Sequence, residues 1–157
     1  MAAQKPLVII SGQIQQLPAG DTLSAASAEV DVITLTAGAT VVKGCPVYIS
    51  GAGAFNKANA AASGTAKVIG FAAAGISSAA SGSIQTDGIL ACTTGEWDAV
   101  AGTTGGLAAG TEYYLAATAG LISSTAPSGS GNYVVKVGTA ISTTELEISI
   151  GDSVLLA

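Results

Sequence analysis

The chain states one pattern twice, and a duplicated pattern of this kind leaves few folds open. Val41-Val42-Lys43-Gly44-Cys45-Pro46-Val47-Tyr48-Ile49-Ser50 aligns with Leu107-Ala108-Ala109-Gly110-Thr111-Glu112-Tyr113-Tyr114-Leu115 when Gly44 is placed on Gly110. At the same offset Val47 meets Tyr113, Tyr48 meets Tyr114, Ile49 meets Leu115 and Phe55 meets Leu121. After a short slip, Ile69-Gly70-Phe71-Ala72 falls on Val137-Gly138-Thr139-Ala140. Each unit therefore reads as an apolar strand, a small-residue turn carrying one bulky apolar side chain, and a further strand closed by Gly-x-Ala. Phe55 is expected to point inward.

Short apolar runs separated by Gly-rich turns predict an all-β chain: a small β-sandwich or barrel with an internal two-unit repeat and an extended N-terminal arm. The arm covers 1–23 and a compact β domain covers 24–157, with repeat units at about 37–92 and 103–157. No segment places apolar residues at helical spacing, so no helix is expected. The cleanest alternation is Leu146-Glu147-Ile148-Ser149-Ile150, with one apolar and one polar face. Ser83 to Cys92 reads as a strand interrupted near Asp87-Gly88.

Composition narrows the chemistry. There is no His, and all five basic residues are lysines (5, 43, 57, 67 and 136), so there is no Arg. This removes the commonest general base and zinc ligand and the bidentate clamp for phosphate or carboxylate. The lysines are scattered and the net charge is -5, whereas binding to nucleic acid needs clustered cations. The most apolar run, Val68 to Ala74, is far shorter than the roughly 20 residues of a membrane-spanning helix. Lys5 followed by Leu7-Val8-Ile9-Ile10 is too short, and lacks a cleavage site, to be read as a signal peptide. Charged residues make up only 10 % of the chain, well below the usual quarter, which suggests that neighbouring subunits cover part of its surface.

The remaining candidates each have a bland reading. Glu96 and Asp98 flank Trp97, the only Trp, and two carboxylates beside an aromatic platform resemble a sugar-cleaving site. The simpler view is two solvated acids around one buried Trp at the junction of the units. Glu145 and Glu147 fall on the polar face of the last regular strand. Asp21, Asp31, Asp87 and Asp152 lie near turns, where Asp bonds local amides. Gly102-Thr103-Thr104-Gly105-Gly106 lacks the Lys of a phosphate loop. Tyr48, Tyr113, Tyr114 and Tyr133 read as core or interface. Cys45 and Cys92 form one disulfide or remain two buried thiols, and the missing secretory signal favours the thiols. No catalytic residue, cofactor or metal is expected. The candidate interface is the arm, through Leu7, Val8, Ile9, Ile10, Ile14 and Leu17, which joins the core sheet or docks on a partner.

Three phrases carry a resemblance. Gly12-Gln13-Ile14-Gln15-Gln16-Leu17-Pro18-Ala19-Gly20-Asp21-Thr22-Leu23 looks like the opening of tailed-bacteriophage virion proteins. Ala37 to Leu90 is similar to small phage head-decoration, or cement, proteins. Gly106 to Leu115, Thr125-Ala126-Pro127 and Val135 to Ser142 together resemble a β module of phage tail-fibre proteins. The resemblance implies a non-enzymatic virion component on the capsid surface, bound to the major capsid protein and to copies of itself as a homotrimer, with no nucleic-acid or membrane partner. A tail or tail-fibre component and a carbohydrate-binding adhesin using Trp97 or a Tyr cluster are the alternatives.

Overall fold

The computed structural model describes residues 31–157, together with the backbone of Leu7–Ile10 (β1) and Gln13–Gln16 (β2). These two strands pair antiparallel, with Ile10 opposite Gln13 and Leu7 opposite Gln16. The rest of the arm and the Ala- and Ser-rich connector at 24–29 lie outside the described residues.

Val32–Ala37 (β3), Pro46–Gly51 (β4), Ala54–Lys57 (β5), Val68–Ala72 (β6) and Ser81–Gln85 (β7) close into a barrel in the order β3-β5-β4-β6-β7. The closing pair, β3 with β5, is the parallel one. Ala37, Val47, Phe55, Ala72 and Ile84 fill the barrel. Phe55 is fully buried there.

Gly88–Ala91 (β8), Glu112–Leu115 (β9), Ile122–Ser123 (β10), Lys136–Ala140 (β12) and Glu145–Ile148 (β13) form an open sheet in the order β10-β9-β12-β13-β8. Tyr133–Val134 (β11) pairs separately with Val154–Leu155 (β14). The protein is all-β, with one short helix among the described residues, Thr94–Ala101 (α1).

The two sheets have the same topology. Written as β5-β4-β6-β7-β3, the barrel order matches β10-β9-β12-β13-β8 strand for strand. The match extends to irregularities. A bulge at Ile69 separates the pairs Val47–Gly70 and Tyr48–Val68, and a bulge at Val137 separates Tyr113–Gly138 and Tyr114–Lys136. Gly44 and Gly110 both adopt positive φ, 82° and 76°. Their amides donate to Ala72 and Ala140 respectively, at 2.9 and 2.7 Å. The repeat read from the sequence is thus a repeat of backbone geometry, since a left-handed turn and a bulge each fix where the next strand starts.

Three expectations change. The aligned segments do not begin as strands: Val41 to Cys45 forms a turn held by Cys45 N–H donating to the Val42 carbonyl, and β4 starts at Pro46. Phe55 corresponds to Ile122 rather than Leu121, because Phe55 stands opposite Ile49 and Ile122 opposite Leu115. The expectation of no helix is also corrected by α1. At eight residues it is too short to build a periodic pattern, but its N-terminus was legible. Thr93 and Glu96 form a reciprocal capping box, the S/T-x-x-E signal of a helix start.

α1 lies where the second unit fails to close. In the barrel, Thr36 and Gly38 donate to the Gly53 and Phe55 carbonyls and so join β3 to β5. The corresponding stretch after β8 has become the start of α1, which packs near β10 instead. The larger core runs across both units, from Ala58, Val68 and Phe71 to Trp97, Tyr113, Leu115, Val137 and Leu146. Backbone bonds stitch the units together: Gly120 to the Ala58 carbonyl, Ala60 to Ala116 and Tyr133 to Ala60, at 2.7–2.9 Å. No helix among the described residues is long and apolar enough to cross a membrane.

Candidate functional site

Trp97, Glu96 and Asp98 are the sharpest candidates for chemistry, and α1 positions all three. Trp97 is completely buried. Its indole N–H donates to the Thr144 carbonyl at 3.0 Å. On its other side the ring lies against Gly44, where a Cβ would stand 3.2 Å from Trp97 Cζ3. The only Trp therefore spans the junction, touching the first unit at Gly44 and the second at Thr144. It offers no exposed platform.

Glu96 and Asp98 serve the backbone. The Glu96 carboxylate accepts from the Thr93 amide at 2.7 Å and from its hydroxyl at 3.0 Å. The Thr93 amide bond is the main reason that its pKa lies below the ordinary value. Asp98 accepts from the Gly106 amide at 2.8 Å, the Gly105 amide at 3.0 Å and the Thr103 hydroxyl at 2.9 Å. Those bonds, led by Gly106, hold its carboxyl below the ordinary range. A carboxylate accepting several donors is stabilised as the anion, which suits a fixed anchor and opposes the poised proton of a general acid. The Gly-rich stretch 102–106 is thereby tied as a turn, beginning at Gly102, whose φ of 64° ends the helix.

The other sites fall apart on inspection. Glu145 accepts from the Ser142 hydroxyl at 3.1 Å, while Glu147 is exposed on the polar side of β13. Glu112 bonds Lys136 at 2.8 Å and the Tyr114 hydroxyl at 2.8 Å. The Lys136 bond is the chief cause of its lowered pKa. Tyr113 is buried and its hydroxyl accepts from the Ala108 amide, while Tyr48 and Tyr133 pack on the edge of the larger core. Three of the four tyrosines thus serve the larger core, and Tyr114 bonds the Glu112 carboxylate. Asp87 accepts from the Gly88 amide at 2.7 Å, the turn role expected of it.

Cys45 and Cys92 are free and buried, in the barrel core and the larger core respectively. Burial pushes both thiols up to about 11. Among the described residues no three His, Cys, Asp or Glu side chains come together to hold a metal.

Of the arm residues, Leu7, Val8, Ile9 and Ile10 lie on β1 and Ile14 on β2, while Leu17 is outside the described residues. The structure adds exposed apolar side chains that the sequence pattern did not single out. Val32 and Ile89 are each 48 % exposed and occupy equivalent places on β3 and β8. Ile49, Ile141, Val154 and Leu155 also stand in solvent. The alternation test favours strands with one buried face, so an exposed β-branched residue within a strand leaves no distinct mark.

Comparison of the sequence with protein-family models and with curated proteins returns no match.

Proposed function

We propose that this chain is a non-enzymatic structural component of a bacteriophage virion, a decoration protein that binds the outer surface of the head and stabilises it. The observation that carries this reading is how the acidic side chains are used. Glu96 and Asp98, the pair best placed for catalysis, hold a helix cap and a turn. Meanwhile uncharged β-branched side chains such as Val32, Ile89 and Val154 are left in solvent. A surface of that kind suits burial against other subunits, and the gain scales with apolar area removed from water. The three phage-like phrases of the sequence supply the setting: the major capsid protein and copies of the chain itself, assembled as a homotrimer, with the N-terminal strands as clamp. Strand addition by such an arm needs only backbone groups and a free edge.

Mass spectrometry of separated heads and tails from the particles that carry this chain tests the reading. Copy numbers comparable to the major capsid protein on heads support it. Confinement to tails transfers the proposal to a tail component, and absence from particles overturns both. The adhesin reading loses its main feature, because Trp97 is enclosed.

A further inference from the structure

Among the described residues β8 has a neighbour on one side only. Its pairs with β13 are Gly88–Ile148, Ile89–Glu147, Leu90–Leu146 and Ala91–Glu145. Just beyond them, Cys92 N–H donates to the Thr144 carbonyl at 2.9 Å. Antiparallel pairs alternate between bonded and non-bonded, so Leu90 and Gly88 turn their N–H and C=O groups towards β13. Ile89 and Ala91 turn theirs away. Among the described residues those outward groups meet no backbone partner. The Ile89 side chain is 48 % exposed and Ala91 is also exposed.

Natural sheets blunt a free edge with Lys, Pro or a bulge. Gly88 to Gly95 holds no Lys, no Pro and no charge, and the pairing of β8 is regular. Only the shortness of the strand protects it. In the barrel the equivalent strand, β3, has neighbours on both sides, β7 and β5. Among the described residues the open unit lacks this second neighbour.

We propose that β8 is a two-fold contact between copies of this chain, in which two β8 strands pair antiparallel about Leu90 and join two five-stranded sheets into one. The register is self-complementary. A two-fold axis at Leu90 places Ile89 of one copy opposite Ala91 of the other, and these are the residues with outward N–H and C=O groups. The large Ile89 side chain meets the small Ala91 on the same face.

Charge permits the contact between two acidic chains. Glu145 and Glu147 lie beside Ala91 and Ile89 on β13. Across the joined sheet the two rows of carboxylates are three strand spacings apart, about 14 Å. That exceeds the Debye length of about 8 Å at physiological salt, so their repulsion is screened. The same screening leaves a basic foreign strand little advantage at about 10 Å from the carboxylates. So short an edge buries much less than the roughly 800 Å² per partner of a stable complex. The association is therefore weak in solution and gains strength where copies are held close together. The proposal does not depend on the virion reading.

Sedimentation equilibrium up to millimolar protein tests it, with wild type beside Ala91→Pro and Ile89→Lys. The Ala91 amide points away from β13, so proline removes only the outward donor. The wild-type mass should climb to twice that of each variant at the same concentration. Amide exchange at Ile89 and Ala91 should slow as wild-type concentration rises. Equal masses for wild type and a folded variant overturn the proposal. So do Ile89 and Ala91 amides that exchange at the same rate at every concentration, and so does binding of β8 only to another protein. Should Ala91→Pro unfold, Ile89→Lys decides, since its ladder to β13 remains intact.

Discussion

Gly70 and Gly138 occupy the same place in the two units. Each follows a bulged residue and stands opposite the paired Val47 or Tyr113. A Cβ on Gly70 would collide with the Gln85 carbonyl, and one on Gly138 with the Glu147 carbonyl. Neither glycine has positive φ, so the requirement is for space rather than backbone freedom. In both cases the obstacle is backbone, which has little freedom to move aside.

Gly70→Ala and Gly138→Ala should each destabilise the protein by about 1–3 kcal/mol, the range for overpacking a filled site. Urea unfolding of the two single variants measures this. Similar losses are expected because the obstructing carbonyls sit at equivalent positions.

Trp97 joins the units through Gly44 and the Thr144 carbonyl. Trp97→Phe keeps most of the apolar contact and removes the indole bond to that carbonyl, which retains the Cys92 amide as a donor, a loss of about 0.5–1.5 kcal/mol. Trp97→Ala adds a cavity and should cost about 3–5 kcal/mol. Thermal unfolding ranks the two. In the wild type, Trp fluorescence should be blue-shifted and insensitive to acrylamide and to added polysaccharide.

Asp98 links folding to pH. Its bonds to Gly106, Gly105 and Thr103 hold the carboxyl below its ordinary value of 3.8. The folded state therefore binds its proton less readily than the unfolded state does. The stability contributed is complete well above pH 3.8 and is lost as pH falls through the lower folded value. Asp98→Ala should lower the melting temperature at neutral pH, and its gap from wild type should narrow in acid. A gap that stays constant into strong acid would contradict the anchoring role.

Cys45 and Cys92 should be inert in the native protein. With both raised to about 11 by burial, they are protonated at pH 8, and the thiolate is the reactive form. Titration with a thiol reagent at that pH should find neither under native conditions and both after unfolding.

Removing residues 1–17 should leave the β domain folded, because both described cores are built from residues between Ala37 and Ile148. Circular dichroism and the melting temperature check this. Loss of the cooperative transition would show that Leu7 to Ile10 belong to the core sheet.

Much of the architecture was legible in the chain. The positive-φ glycines 44 and 110 and the alternation of Leu146-Glu147-Ile148 are local signals, because each reflects what one or two residues do to their own backbone. The capping box of α1 was equally local, at Thr93 and Glu96. The helix itself is too short to repeat an apolar pattern, so the cap is its one sequence mark.

The candidate site was less legible, since burial and pairing depend on residues far apart in sequence. The chain by itself determined an all-β protein with a doubled unit, because turn and strand preferences act over a few residues. Only the tertiary structure decided that one unit closes while the other stays open. Closure depends on whether a strand meets its distant partner, as β3 meets β5, or is diverted, as the chain after β8 turns into α1. Tertiary packing also turned Trp97 from a possible platform into a buried tie between Gly44 and Thr144. The free edge at Ile89 and Ala91 follows from the same choice.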